Sequence, residues 1–131
     1  MIAGADVSGD PEGPPLPLSQ LIDLTTTGRR TGRARRIEIV LHNFEGRLYI
    51  SGMPNPARAR AWLLNLASDP RLTIHLKGSV VADLTGSARV IADESERRAV
   101  FASVVKVWRG QEIETMNRHS PLIEVTLADR G

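Results

Sequence analysis

The chain has 131 residues, 41% of them hydrophobic and 24% charged, with no cysteine and a formal net charge of +2. That is one domain's length, enough to bury a core without staples, and the lack of cysteine excludes a disulfide scaffold, a thiol nucleophile and a thiolate metal site. No apolar run reaches the roughly 18–20 residues of a membrane helix, and the N-terminus has acids but no Lys or Arg, unlike a signal peptide, so a cytoplasmic protein is the expectation.

Residues 1–17 are rich in proline and glycine, from Gly4 to Pro17. That composition predicts a flexible arm ahead of one domain spanning 18–131. Leu21, Ile22, Leu24 and Thr25 to Thr27 suit a first strand, and Gly28 and Gly32 bracket a turn. From Arg35 the chain alternates, with Ile37, Ile39 and Leu41 on one face and Arg36, Glu38 and His42 on the other. Asn43 to Gly46 is turn-like, and Arg47 to Gly52 completes a hairpin. Met53 to Pro56 breaks it. Residues 57–68 read as a helix whose apolar face holds Ala59, Trp62, Leu63, Leu66 and Ala67; Asp69-Pro70 stops it. Leu72 to Leu76 alternates again, Lys77-Gly78-Ser79 turns, and Val80 to Ile91 is a long strand with a bulge expected at Gly86. Asp93 and Glu96 form a capping box. The helix behind them shows an apolar stripe from Val100 to Trp108 and ends at Gly110. Pro121 to Leu127 is a last strand. About six strands and two helices in this order predict a mainly β (α+β) fold, an antiparallel barrel with helices packed outside rather than a βαβ sheet. No GxGxxG or GxxxxGK[ST] follows a strand, so neither a Rossmann site nor a P-loop is supported.

Charge is spread unevenly. Residues 1–23 carry four acids and no base, residues 24–60 carry eight arginines against two glutamates, and the remainder is balanced. The surplus concentrates in Thr25 to Arg36 (TTTGRRTGRARR), where five arginines fall within residues 29–36. Glycines let backbone N–H groups approach an anion, and arginines supply forked donors to phosphate and carboxylate. Such a loop suits a polyanionic ligand. Spacing alone leaves open a second reading, an exposed basic hairpin tip.

Leu24 to Gly32 (LTTTGRRTG), Arg35-Arg36, the Ser51-Gly52 turn, Trp62 with Asn65-Leu66 (WLLNL) and Asp69-Pro70 together resemble the deazaflavin-dependent nitroreductase family, small proteins that bind coenzyme F-420. The resemblance runs from Leu18 to Leu127. It implies the split β-barrel shared with FMN-binding oxidoreductases. It also implies hydride transfer from the reduced cofactor to a small electron-poor acceptor: a quinone, a nitroaromatic or an activated alkene. On this resemblance Arg29, Arg30, Arg33 and Arg36 would hold the phosphate and polyglutamate tail, with Thr27 and Gly28 adding donors. Ser51, Gly52 and Met53 would border the ring, and Arg58 and Arg60 would pair with the phosphate. Relatives read Ser-Lys-Gly-Gly where this chain reads Ser51-Gly52-Met53-Pro54. Trp108 and His119 stand where relatives place tyrosines near the substrate, and they are the candidates for a catalytic role. The missing lysine favours an alternative, a non-catalytic carrier of FMN or another apolar ligand. A nucleic-acid-binding module is a third reading, opposed by an aromatic content of 4% and the balanced remainder of the chain.

The other residue types add little chemistry. His42 and His75 fall at strand-alternation positions whose spacing matches no metal signature, so no metal site is expected. No serine stands in a GxSxG context and no His–acid pairing is in view. Trp62 reads as a core anchor, Tyr49 as barrel packing and Trp108 as a pocket rim. Split barrels pair, so a homodimer covering a barrel edge is one outcome.

Overall fold

The computed structural model describes residues 17–55 and 60–128. The expected arm therefore lies outside the described residues apart from Pro17. The elements are β1 (Ser19–Thr27), β2 (Ala34–Phe44), β3 (Arg47–Ser51), α1 (Ala61–Ser68), β4 (Arg71–Lys77), β5 (Val81–Val90), α2 (Glu94–Val107), α3 (Ile113–His119) and β6 (Leu122–Leu127). The six strands close into a barrel in the order β1-β2-β3-β6-β5-β4, and every pairing is antiparallel. The mainly β barrel anticipated from the hairpin order is present.

Local chemistry explains the hairpins. Glu45 (φ 57°) and Gly46 (φ 88°) form a two-residue connection with both residues left-handed, the turn whose twist matches its flanking strands. Asn43 Oδ1 accepts from the Gly46 N–H at 3.0 Å and tightens it. The longer β1–β2 loop is closed by Gly28 N–H donating to Arg33 O and Gly32 N–H to Gly28 O, both at 2.8 Å. Gly32 sits at φ 71°, where a side chain would be strained.

The inward residues of β1, Ile22 and Leu24, meet Leu41, Ile50, Ile74 and Ile123 in the barrel interior. Trp62 and Leu66 of α1 join that cluster and plug one end. A second cluster lies outside the barrel, where Phe101 and Val104 of α2 and Met116 of α3 cover Tyr49 and Leu122. Tyr49 therefore packs against the helices and not inside the barrel. The α2 N-cap is as expected, with Asp93 Oδ2 accepting from Glu96 N–H at 2.9 Å. The Glu96 carboxylate turns instead to Arg89, so the reciprocal half of the box is not formed.

Two expectations change. Residues 113–119 form a third helix, where only a turn before the last strand was expected. Gly86 is not a bulge: its pairings with Leu72 and Leu127 lie in unbroken registers. It is a close approach, since a Cβ there would lie 2.5 Å from Thr126 O. The barrel closes through β1–β4 and β3–β6, and among the described residues Ala34 to Ile39 of β2 and Val81 to Thr85 of β5 keep a strand neighbour on one side only.

Candidate functional site

The arginine loop leans on α1. Asn65, buried on the inner face of that helix, accepts from Arg29 N–H at 3.1 Å and from Arg29 Nη1 at 3.3 Å, and donates through Nδ2 to Thr26 Oγ1 at 3.2 Å. Between loop, β2 and α1 lies a groove of about 530 Å³, lined among others by Gly28, Arg29, Arg30, Arg35, Arg36 and Asn65. Among the described residues no carboxylate lies within ion-pair reach of Arg29, Arg30, Arg33 or Arg35, whereas Arg36 is paired with Asp23 at 3.0 Å. The groove is thus strongly cationic and lacks its counter-charge.

Beside it is a larger cavity of about 760 Å³, walled by Leu21, Ile39, Met53 and Trp108 and by the Gly52 backbone. The two spaces share Ile37, Ala61 and Trp62. Gly52 matters sterically: a Cβ there would lie 2.5 Å from Arg60 Nη1 and 3.2 Å from Pro121 Cγ. The absent side chain lets the Arg60 guanidinium cross the wall and donate to Met53 O at 2.6 Å. Trp108, just past the end of α2, is held edge-on to the His42 ring at 5.1 Å.

Of the residues singled out in the sequence, Gly28, Arg29, Arg30 and Arg36 meet along the groove, and Ser51, Gly52, Met53, Arg60 and Trp108 meet around the cavity. Arg33 lines neither space, and Thr27 faces a different surface depression with Thr73 and Thr85. His119 sits exposed in the last turn of α3, away from both. Arg58 lies outside the described residues. Ser51 is fully buried and its hydroxyl engages His42 Nε2 at 3.0 Å. Arg35 and Asn65 were not among the candidates; the R-R pair and the W-x-x-N-L run were the signals that could have found them.

Two histidines are explained by partners far away in sequence. His42 is fully buried between Ser19 Oγ at 2.7 Å and Ser51 Oγ at 3.0 Å; burial holds its pKa down at about 4, so the ring is neutral. On the outer face His75 Nδ1 meets Asp83 at 2.8 Å and its Nε2 meets Thr25 Oγ1 at 2.7 Å. That is the His–acid pairing the linear sequence hid. The three residues stand on the neighbouring strands β1, β4 and β5.

The fold and site define a class: a small split-barrel protein with a cationic groove beside a larger, mostly apolar cavity. The family model for F420H(2)-dependent quinone reductases matches residues 4–126, so the chain belongs to that family. Membership makes it an F-420-dependent reductase with coenzyme F-420 as its cofactor. No curated protein matches the chain. Among solved structures it is similar to an F420-H2-dependent reductase, FDR-A, at 19% identity and TM-score 0.61, covering 81% of this chain and 93% of that one. A conserved hypothetical protein from Mycobacterium tuberculosis gives 16%, TM-score 0.65, with 84% of this chain and 74% of that one covered. General stress protein 26 from Bacillus anthracis strain Sterne gives 13%, TM-score 0.57, with 83% and 80% covered. At such identities the likeness speaks for the shared fold. The residues present fit the cofactor on a structural observation: uncompensated guanidinium groups line a groove that shares the wall Ile37, Ala61 and Trp62 with a mostly apolar cavity, which Glu38, Arg60, Arg109 and Gln111 also line.

Proposed function

We propose that the protein passes hydride from reduced coenzyme F-420 to a quinone, or to a comparably electron-poor nitroaromatic or activated alkene. The cofactor's anionic tail would lie along the arginine groove and its ring in the adjoining apolar cavity. One observation carries this reading: the cationic groove and the apolar cavity meet at a common wall of Ile37, Ala61 and Trp62. When bound, the reduced cofactor supplies the hydride, and a quinone takes up one proton besides to become a hydroquinone. The chain's own contribution is positioning. Arg29 and Arg30 hold the multiply charged tail, and Ile37, Trp62 and Trp108 shield the ring from water. Arg60, anchored on the Met53 carbonyl, fixes the loop at the cavity rim. Among the described residues no histidine lines either space, whereas Glu38 lines the cavity, so the proton would come from solvent at the cavity mouth, directly or through that carboxyl group. FMN carries a single phosphate and no polyglutamate, engages fewer of these arginines and binds more weakly.

A calorimetric titration with coenzyme F-420 beside FMN tests the reading, followed by a hydride-transfer assay on quinones and nitroaromatics. Arg29→Ala with Arg30→Ala should weaken F-420 binding several-fold or more and leave the melting temperature unchanged. Unchanged affinity would remove these residues from the site. Tight binding without turnover on any acceptor would favour the carrier alternative.

A further inference from the structure

Asn65 is a polar residue in the wrong company. It lies on the buried face of α1 with Trp62 and Leu66, and it is 3% exposed. A buried amide costs free energy unless its hydrogen bonds are made. Here they are made, and all of them reach across to the arginine loop or the strand that leads into it. Oδ1 takes both the backbone N–H and the Nη1 of Arg29; Nδ2 gives to Thr26 Oγ1, itself buried. Arg29 is thereby held at two points, while no carboxylate pairs with it among the described residues.

The choice of an amide over a carboxylate has a physical meaning. An aspartate of the same size at this position would also accept from Arg29. It would place a negative charge against the guanidinium and cancel the field that an incoming anion must feel. A neutral oxygen orients the cation and leaves its charge available. It also orders a glycine-flanked loop before the ligand arrives, which lowers the entropic cost of binding.

We propose that Asn65 is a positioning residue for the anionic tail of the cofactor, aiming Arg29 into the groove without neutralising it. This rests on the reading that the tail occupies the arginine groove, and the experiment separates the two. Wild type, Asn65→Asp and Asn65→Ser are titrated with coenzyme F-420 and with the deazaflavin that lacks the phosphate and glutamate tail, at low and high salt. Wild type should prefer the tailed compound strongly, and the preference should shrink as salt rises. Asn65→Asp should lose most of that preference while its affinity for the tail-less ring stays as in wild type. Asn65→Ser, which cannot reach Arg29, should lose part of it. A purely structural asparagine would weaken both ligands together. Melting curves identify the folded variants, and the serine variant decides if the aspartate does not fold. If wild type shows no preference for the tail, the groove reading fails. If wild type discriminates and the folded variants discriminate equally well, the assignment to Asn65 is overturned while the groove reading stands.

Discussion

His42 has no contact with solvent and gives each ring nitrogen to a serine hydroxyl. A neutral imidazole donates from one nitrogen and accepts at the other, so both serines are satisfied only while it stays uncharged. Its pKa in the fold is about 4, against the ordinary 6.5, because burial disfavours the cation. The unfolded chain therefore binds the extra proton between those values. The stabilisation is complete above the unfolded pKa and is lost as pH falls toward the folded one, by up to about 3 kcal/mol. Urea midpoints should fall as pH is lowered through this window, and His42→Gln should flatten that decline. An equal decline in the variant would show that other groups cause it. At this scale the linear sequence was least informative. His42 and His75 were visible as alternating strand positions, but Ser51 and Asp83 reach them only because the hairpins set their registers, and Ser19 and Thr25 only because β1 pairs with its neighbours.

Between elements, the junction of α2, α3 and β6 turns on Arg97. Its guanidinium donates to Ile91 O at 3.1 Å, Asn117 O at 2.9 Å, Ser120 O at 2.7 Å and Asn117 Oδ1 at 3.0 Å, and lies 5.2 Å from the Phe101 ring centroid. Its burial draws the pKa down from the usual arginine value. Arg97→Met keeps the length and the stem packing but strips the donors from several carbonyls. It should cost about 2–4 kcal/mol, read as a lower melting temperature, with cofactor affinity retained in the folded fraction. A melting temperature equal to wild type would show that water replaces the guanidinium freely. This clamp also explains why α3 escaped sequence reading. The helix is one short polar segment whose N-cap, Glu112, accepts from the Thr115 hydroxyl but caps no backbone N–H, and it is held by contacts supplied from α2. By contrast α2 carried its own signals, Asp93 at the cap and a stripe of valines with Phe101. The β2–β3 hairpin announced itself through alternation and Asn43 to Gly46. Gly86 was noticed for the right reason, a missing side chain in a strand, but a bulge and a close approach look alike until the facing strand is known.

For the molecule as a whole, charge is segregated in space as well as in sequence. On the outer sheet Lys77 bonds Asp23 and Glu38, and Arg36 bonds Asp23. Arg47 and Arg89 share Glu124, and Arg98 pairs with Glu114. Among the described residues the densest group of cations without an ion pair, Arg29, Arg30, Arg33 and Arg35, is gathered on the β1–β2 loop and the start of β2. Exposed cations of this kind are screened as the Debye length shrinks from ~10 Å at ~0.1 M to ~3 Å at ~1 M salt. The dissociation constant for coenzyme F-420 should therefore rise with added sodium chloride while the melting temperature stays nearly level. A salt-independent dissociation constant would mean that the arginines do not contribute to affinity. The arginine loop and the hairpin order were legible in the sequence because each is local. The closing pairs β1–β4 and β3–β6 were not, since they join distant segments and depend on every strand between them being in register.

That ring of strands has a consequence for how copies of the protein can meet. The ring is closed but split at two places: among the described residues, Ala34 to Ile39 of β2 has only β1 beside it, and Val81 to Thr85 of β5 has only β4. Those two short stretches are where a neighbouring chain could add backbone pairs. Elsewhere two copies must fit side-chain relief against side-chain relief, where exposed apolar tips such as Leu21 and Val81 would decide the match.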